Sequence, residues 1–98
     1  MELTIHAPEE ILLSADDGLP PPEGVSITMR LLESVDLSGI GEFVLLIAGG
    51  VPASLFAAWL YDKLEKHGAK TIRIDRHEIV VDRGEIERII WEKIEIRN

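Results

Sequence analysis

Residues 43–61 read FVLLIAGGVPASLFAAWLY, a run of 19 residues without a formal charge, and this stretch decides the fold. The run is nearly as long as the roughly 20 apolar residues that a helix needs to cross a bilayer. A Gly-Gly-Val-Pro break at 49–52 interrupts it, and no basic cluster beside Glu42 or Asp62 would set an orientation in a membrane. Because proline is tolerated in the first turn of a helix but not in its interior, we expect two shorter pieces rather than one membrane span.

The second piece predicts a central helix over about residues 52–67. Its large apolar residues recur at spacings of three and four: Phe56, Trp59, Leu60 and Leu64. A basic last turn followed by Gly68 is typical of the end of a helix. Aromatic residues at such spacing pack in a core far more often than they bind a ligand, so we interpret Phe56 and Trp59 as core side chains.

The first piece is ambiguous between helix and strand. Within Val35–Ala48, the residues Ile40, Phe43, Val44 and Ile47 fit the spacing of a helix, whereas residues 43–47 also fit a fully buried strand. Periodicity alone does not decide between the two for residues 38–48. We expect a helix here and keep the buried strand as the alternative.

The chain after Gly68 changes to a period of two, which predicts an antiparallel hairpin over residues 70–82. Its turn, near Arg76-His77, contains no glycine. Asp82 then precedes Glu85 by three residues, the spacing of a helix N-cap, and isoleucines at helical spacing follow. We therefore expect a C-terminal helix over about residues 84–94, with a charged face in solvent that includes an Arg88–Glu92 pair.

The first third of the chain is less regular. Strands are predicted over Glu2–His6 and Val25–Leu32, and Glu10–Ser14 is a short apolar element of uncertain type. Three successive prolines make residues 16–24 a loop, which we interpret as a stiff connector rather than a docking peptide. The fold class is thus α+β: one domain over residues 1–98, with a mostly antiparallel sheet packed by the central and C-terminal helices.

The net charge of −8 lies entirely in the first half of the chain. Residues 1–49 hold nine acidic residues against Arg30 alone, whereas residues 50–98 are balanced. Such asymmetry disfavours direct contact with nucleic acid or an anionic membrane and favours a basic protein partner. The candidate partner-binding residues are Glu9, Glu10, Asp16, Asp17, Glu23, Glu33 and Asp36. A homo-oligomer is compatible with the sequence, and acidic loops that merely keep the domain soluble are the plainer interpretation.

The sequence presents little chemistry. It has no cysteine, and His6, His67 and His77 form none of the spacings typical of metal ligands. No serine lies in a nucleophile motif, and the Gly-Gly-Val-Pro break lacks the lysine and the pattern of a phosphate-binding loop. We therefore expect no enzyme activity, no catalytic or metal-binding residues and no cofactor. The first residues do not resemble a secretory signal, so a cytoplasmic location is the default.

One family resemblance rests on residues 40–95. Ala48-Gly49-Gly50 leads into the helix with Trp59-Leu60, and a hairpin and an amphipathic helix follow. This order resembles the effector-associated constant component of bacterial conflict systems. The chain departs from that family where Tyr61-Asp62-Lys63 replaces arginines that often continue the Trp-Leu helix. The resemblance implies an adaptor that joins other proteins in an immune or signalling assembly.

Three functions follow in order. The first is a non-enzymatic interaction module, an adaptor or accessory subunit that binds a basic surface through the acidic first half. The second is an acidic inhibitor or immunity protein, of host or phage origin, that blocks a nucleic-acid-binding effector. Both predict salt-sensitive binding to a basic partner. A small enzyme is the third, and a cleft that grouped His6 or His77 with carboxylates would support an enzymatic function.

Overall fold

A computed structural model describes residues 1–13, 17–30 and 40–96, with every side chain in these ranges except those of Glu9, Leu13, Arg30, Glu95 and Ile96. The elements in chain order are strand β1 (Glu2–Pro8), helix α1 (Glu9–Leu13), strands β2 (Val25–Arg30) and β3 (Ile40–Ile47), helix α2 (Ala53–Lys66), strands β4 (Thr71–Ile74) and β5 (His77–Val80), and helix α3 (Arg83–Trp91), which a π-helical turn, Glu92–Ile96, extends. The α+β class predicted from the sequence is confirmed.

The strands form one antiparallel sheet in the order β2-β3-β1-β4-β5. Strand β1 lies in the middle, paired with β3 along its whole length and with β4 over its second half. Alternate residues of the sheet enter one core together with the inner sides of α2 and α3, as the buried set Leu3, Ile5, Phe43, Leu45, Ile74, Phe56, Leu60, Ile86 and Ile90 shows. The helices therefore pack on one face of the sheet.

Strand β3 corrects the expectation of a helix for Val35–Ala48, which is wrong over residues 40–47. Phe43, Leu45 and Ile47 are buried, whereas Val44 is partly exposed and Leu46 is 50% exposed. This is the alternation of a strand covered on one face only, not the continuous burial that the alternative assumed. Strand β3 is fixed by pairing with β1 on one side and β2 on the other, contacts that the local spacing of apolar residues does not reveal.

Helix α2 confirms the central helix, with bounds one residue inside those expected at each end. Pro52 is its extended N-cap residue, so the proline precedes the helix and interrupts no internal hydrogen bond. Phe56 and Trp59 are buried core residues, as predicted, and their ring centroids lie 5.8 Å apart. No helix in the described part of the chain is long and apolar enough to cross a membrane.

The predicted hairpin is strands β4 and β5, and its turn works without glycine because Asp75 takes the conformation that glycine usually supplies. Asp75 has a φ of 54°, in the left-handed region, where aspartate is tolerated better than most residues. Its carboxylate accepts a hydrogen bond from the Thr4 amide at 3.2 Å and pairs with Lys93. The turn is thus tied to the central strand and to the end of the C-terminal helix.

Helix α3 confirms the capped C-terminal helix. The Asp82 carboxylate accepts a hydrogen bond from the Glu85 amide at 3.1 Å, and Arg88 donates to Glu92 at 3.2 Å on the exposed face. In the first third of the chain, the short element of uncertain type is helix α1, and strand β1 extends to Pro8. The described part of the proline-rich loop, residues 17–24, contains no helix or strand.

Candidate functional site

The acidic residues proposed from the sequence do not form one described cluster. Glu10 is exposed on α1, Glu23 is exposed just before β2, and Asp17 is buried. Asp16, Glu33, Asp36 and the side chain of Glu9 lie outside the described residues. The structure therefore places only Glu10 and Glu23 of the seven candidates on the described surface.

Glu10 and Glu23 lie at opposite ends of the sheet. Helix α1 follows Pro8, which pairs with Ile40, whereas Glu23 precedes Val25, which pairs with Ile47 at the far end of β3. Strand β3 has 8 residues, and at about 3.3 Å per residue such a strand is roughly 25 Å long. The two carboxylates are therefore about one strand length apart, and we call the end that carries Pro8 and Glu10 the Glu10 end.

Asp17 holds the proline-rich loop against α2 instead of facing solvent. Its Oδ2 lies 2.7 Å from Lys63 Nζ, and both side chains are almost completely buried. The imidazole of His67 lies 2.9 Å from the same oxygen. These contacts, Lys63 first, hold the pKa of the Asp17 carboxyl well below its usual range. Asp17 is committed to this internal ion pair, and we leave it out of the proposed binding surface.

Further contacts anchor the loop at Leu19 and at the backbone of Asp17. Leu19 donates its amide hydrogen to the Asp17 carboxylate at 2.9 Å, and its carbonyl accepts a hydrogen bond from the Trp59 indole at 3.0 Å. Lys66 also donates to the backbone carbonyl of Asp17. A loop that its prolines already stiffen is thus fastened to the second half of α2 by side chains that lie 40 or more residues away in the sequence.

The sheet has a second face, opposite the helices, that no described element covers, and we call it the open face. Its side chains alternate with those of the core along each strand: Glu2, Thr4 and His6 from β1, Ser26 and Thr28 from β2, Glu42, Val44 and Leu46 from β3, Arg73 from β4, and Glu78 and Val80 from β5. Leu46 and Val80 are 50% and 63% exposed. The open face therefore offers apolar as well as charged groups to solvent.

One row of residues crosses all five strands of the open face, and we call it the charged row. The register pairs Arg30 with Glu42, Glu42 with His6, His6 with Arg73, and Arg73 with Glu78. Within the row, His6 Nε2 lies 3.2 Å from Glu42 Oε1. Among the side chains that are described, the signs along the row run negative at Glu42, histidine at His6, positive at Arg73 and negative at Glu78.

A shallow depression of about 600 Å³ lies beside this row and groups His6 with the carboxylates of Glu2, Glu42 and Asp75 and with Arg73 and Arg76. This grouping is one of two that would support an enzyme; the other is a depression of about 590 Å³ that places His77 beside Glu78, Glu85 and Glu92. A general base must present a free nitrogen to its substrate. Here Nε2 of His6 contacts Glu42, and Nδ1 is buried without a hydrogen-bond partner in the described structure. As it stands, the pair offers a substrate neither nitrogen.

Metal binding has no support in the residues described: no three His, Asp or Glu side chains among them converge in an arrangement that could hold an ion. No family model, no curated protein and no solved structure matches this chain. The class of protein is therefore set by its architecture alone, a small α+β domain with one face of its sheet uncovered.

Sequence reasoning missed the charged row for an identifiable reason. The alternation of Glu2, Thr4 and His6 already predicts one face for these residues if residues 2–6 form a strand. Glu42 can be placed on the same face only if residues 40–47 are known to form a strand that pairs with β1. Arg73 can be placed there only if the register of β4 against β1 is known. Strand register depends on pairing between distant segments, so no local motif marks this row.

Proposed function

We propose that this protein is a non-enzymatic interaction module, an adaptor or accessory subunit, that binds a basic surface of another protein. The observation that carries the proposal is the acidic excess of the first half of the chain, nine acidic residues against Arg30 alone. In this half, the exposed carboxylates of Glu10 and Glu23 have no ion-pair partner among the residues described.

The Glu10 end is the part of the molecule that we propose for this contact. Glu10 is exposed there, and Asp17 is fastened to the last turns of α2, which lead back to the same end of the sheet. Arg30 and Ile40, the described neighbours of the segment that carries Glu33 and Asp36, also lie at this end. Glu23 lies at the other end and is not part of the proposed surface.

A basic partner fits this arrangement for electrostatic reasons. A net charge of −8 on 98 residues gives a negative potential that accelerates encounter with a positive surface and weakens as salt screens it. The geometry of His6 fits a non-enzymatic role, because Nε2 of His6 contacts Glu42 and Nδ1 is buried. The resemblance to the effector-associated constant component fits a role in joining proteins.

The test is a capture experiment from native cells with matched charge variants. The variant Glu10→Gln removes the exposed carboxylate of the Glu10 end. The control Glu23→Gln removes one exposed carboxylate at the other end of the sheet, so the net charge of the two proteins is equal. We expect a basic protein to be captured at low salt by the wild type and the control, and to be lost from the first variant.

Two results would overturn the proposal. One is failure to recover any basic partner at low salt, and the other is equal loss of capture in both variants, which would show that only net charge matters. The captured partner also separates an adaptor from an inhibitor. If the partner is a nuclease or a DNA-binding protein whose activity stops in the saturated complex, the protein acts as an inhibitor.

A further inference from the structure

Strand β2 is one of the two edges of the described sheet, and its sequence leaves that edge unprotected. Edge strands in natural proteins are commonly blunted by short length, charged side chains, proline or a bulge. The other edge, β5, has only 4 residues and carries Glu78. Strand β2 pairs with β3 at six successive positions without a bulge, and residues 25–29 contain neither a charge nor a proline. Such a strand can accept a further strand at its outer side.

The backbone of β2 offers hydrogen-bonding groups on its outer side. The Gly24 carbonyl accepts a hydrogen bond from the Ala48 amide at 2.8 Å, which makes these two residues a hydrogen-bonded pair at the start of the β2–β3 ladder. Because the direction of the backbone groups alternates along a strand, the amides and carbonyls of Val25, Ile27 and Met29 point away from β3. The Val25 amide closes the preceding turn. The other outward groups have no backbone partner in the part of the chain that the structure describes.

We infer that β2 pairs edge to edge with β2 of a second copy of this protein, antiparallel and centred on Ile27, and we call this contact the β2 joint. A two-fold axis then brings Ile27 opposite Ile27 of the other copy, and Val25 opposite Met29. Two hydrogen bonds form at the central pair. One more forms at each outer pair, from the Met29 amide to the Val25 carbonyl, which gives four in all. The interface is isologous, as in most homodimers, because one surface is used twice.

The side chains of β2 favour this register. Val25, Ile27 and Met29 lie on the core side of the sheet and are only partly buried, whereas Ser26 and Thr28 are exposed on the open face. The centred register places apolar side chains opposite one another on the core side and Ser26 opposite Thr28 on the open face, pairs that stabilise antiparallel strands. A shift of two residues in either direction leaves Val25 or Met29 opposite a residue outside β2. A shift of one residue brings outward backbone groups opposite inward ones.

A second copy suits this edge because the edge is an uncharged part of an acidic molecule. A protein of charge −8 repels its own copies wherever carboxylates dominate. Residues 25–29 and the residues with which they pair, 43–47, carry no charge. Glu23 is the nearest carboxylate before the strand, and the antiparallel arrangement places the Glu23 residues of the two copies at opposite ends of the joint. The β2 joint thus brings two acidic copies together where like-charge repulsion is weakest.

This dimer does not depend on the proposed basic partner, which would find no carboxylate on residues 25–29, and it is tested on the purified full chain alone. One strand edge is a small contact beside the ~800 Å² per partner of a standard interface, so we expect a dissociation constant in the micromolar range. Sedimentation across a concentration series that brackets this range measures the constant.

Two exposed threonines provide a matched pair of charge variants. Thr28→Glu places two carboxylates across the β2 joint on strands about 4.8 Å apart, so we expect the dissociation constant to rise about 10-fold at low salt. Thr71→Glu makes the same substitution at an exposed position of β4, away from the joint, and should leave the constant unchanged. Equal effects of the two substitutions, or a wild type that stays monomeric throughout, would overturn the inference.

Disulfide cross-linking tests the register directly, because the chain has no cysteine of its own. In the β2 joint, Ser26 of one copy lies opposite Thr28 of the other as a non-hydrogen-bonded pair, with Cα atoms about 4.5 Å apart, which a disulfide can span. The two Ser26 residues are about 8 Å apart, as are the two Thr28 residues, and this is too far for a disulfide.

A mixture of the Ser26→Cys and Thr28→Cys proteins should therefore form covalent dimers under mild oxidation, at a concentration above the dissociation constant. Each of the two proteins alone should form few, and a mixture of Ser26→Cys with Thr71→Cys is the control for random collision. Cross-linking of Thr28→Cys alone that is as fast as in the mixture would overturn the register centred on Ile27. Equal cross-linking in the control mixture would overturn the β2 joint itself.

Discussion

The carboxylate of Asp17 lies 2.7 Å from the ammonium group of Lys63, and the two side chains exclude almost all solvent from this ion pair. The pair joins the start of the proline-rich loop to the third turn of α2. A buried ion pair contributes little net stability compared with an apolar pair of the same shape, yet removing one partner leaves a charge buried without compensation. The pair therefore decides where the loop lies more than how stable the domain is.

The first prediction concerns this ion pair. Lys63→Met keeps the aliphatic volume and removes the charge, so Asp17 loses its closest cation. His67 and the Leu19 amide still contact the carboxylate, so we expect the free energy of unfolding in urea to fall by about 1–3 kcal/mol.

The control for Lys63→Met is the double variant Asp17→Asn/Lys63→Met, which has no unpaired charge. It should be more stable than Lys63→Met alone, because the cost arises from the stranded carboxylate. If the double variant is instead destabilised by the sum of both single substitutions, the two groups do not interact in solution.

The second prediction is a loss of stability in acid that depends on Asp17. Its pKa in the folded protein lies well below the ordinary value of 3.8. A carboxyl whose folded pKa is depressed stabilises the protein fully above its unfolded pKa, and this stabilisation is lost as the pH falls through the folded pKa. The wild type should therefore lose stability as the pH drops below about 4.

Asp17→Asn isolates this contribution from those of the other carboxyl groups. Urea unfolding of both proteins from neutral pH to strong acid should show a shallower decline in the variant below about pH 4. Parallel curves would mean that the Asp17 contacts do not lower its pKa.

The third prediction separates the two sides of α2 at adjacent residues. Phe56 is completely buried and packs in the core, whereas Leu55 is 52% exposed. Phe56→Ala should lower the free energy of unfolding by about 3–5 kcal/mol because it leaves a cavity. Leu55→Ala should change it by less than about 0.5 kcal/mol. Similar losses for the two variants would contradict a helix α2 that buries Phe56 in the core and leaves Leu55 in solvent.

The sequence predicted those parts of the fold that depend on local signals. Helix α2, the Asp82 cap and the β4–β5 hairpin follow from spacing, capping residues and alternation within a few residues. Strand β3 does not, because Phe43-Val44-Leu45-Leu46-Ile47 satisfies both helical and strand patterns until β1 and β2 pair with it. The candidate site shows the same limit: Asp17 was assigned to the surface because its partners, Lys63 and His67, are about 50 residues away.

The fourth prediction concerns the turn between β4 and β5, where Asp75 has a φ of 54° and its carboxylate holds the Thr4 amide. Asp75→Gly relieves the backbone but removes the side-chain contacts, so the free energy of unfolding should fall by about 1 kcal/mol. Asp75→Ala loses the same contacts and also places a Cβ atom in the left-handed region, which adds about 1 kcal/mol. Asp75→Asn keeps the acceptor oxygen and should be the mildest of the three. Urea unfolding of the series therefore separates the backbone effect from the hydrogen bond, and an alanine variant as stable as the glycine variant would contradict the left-handed turn.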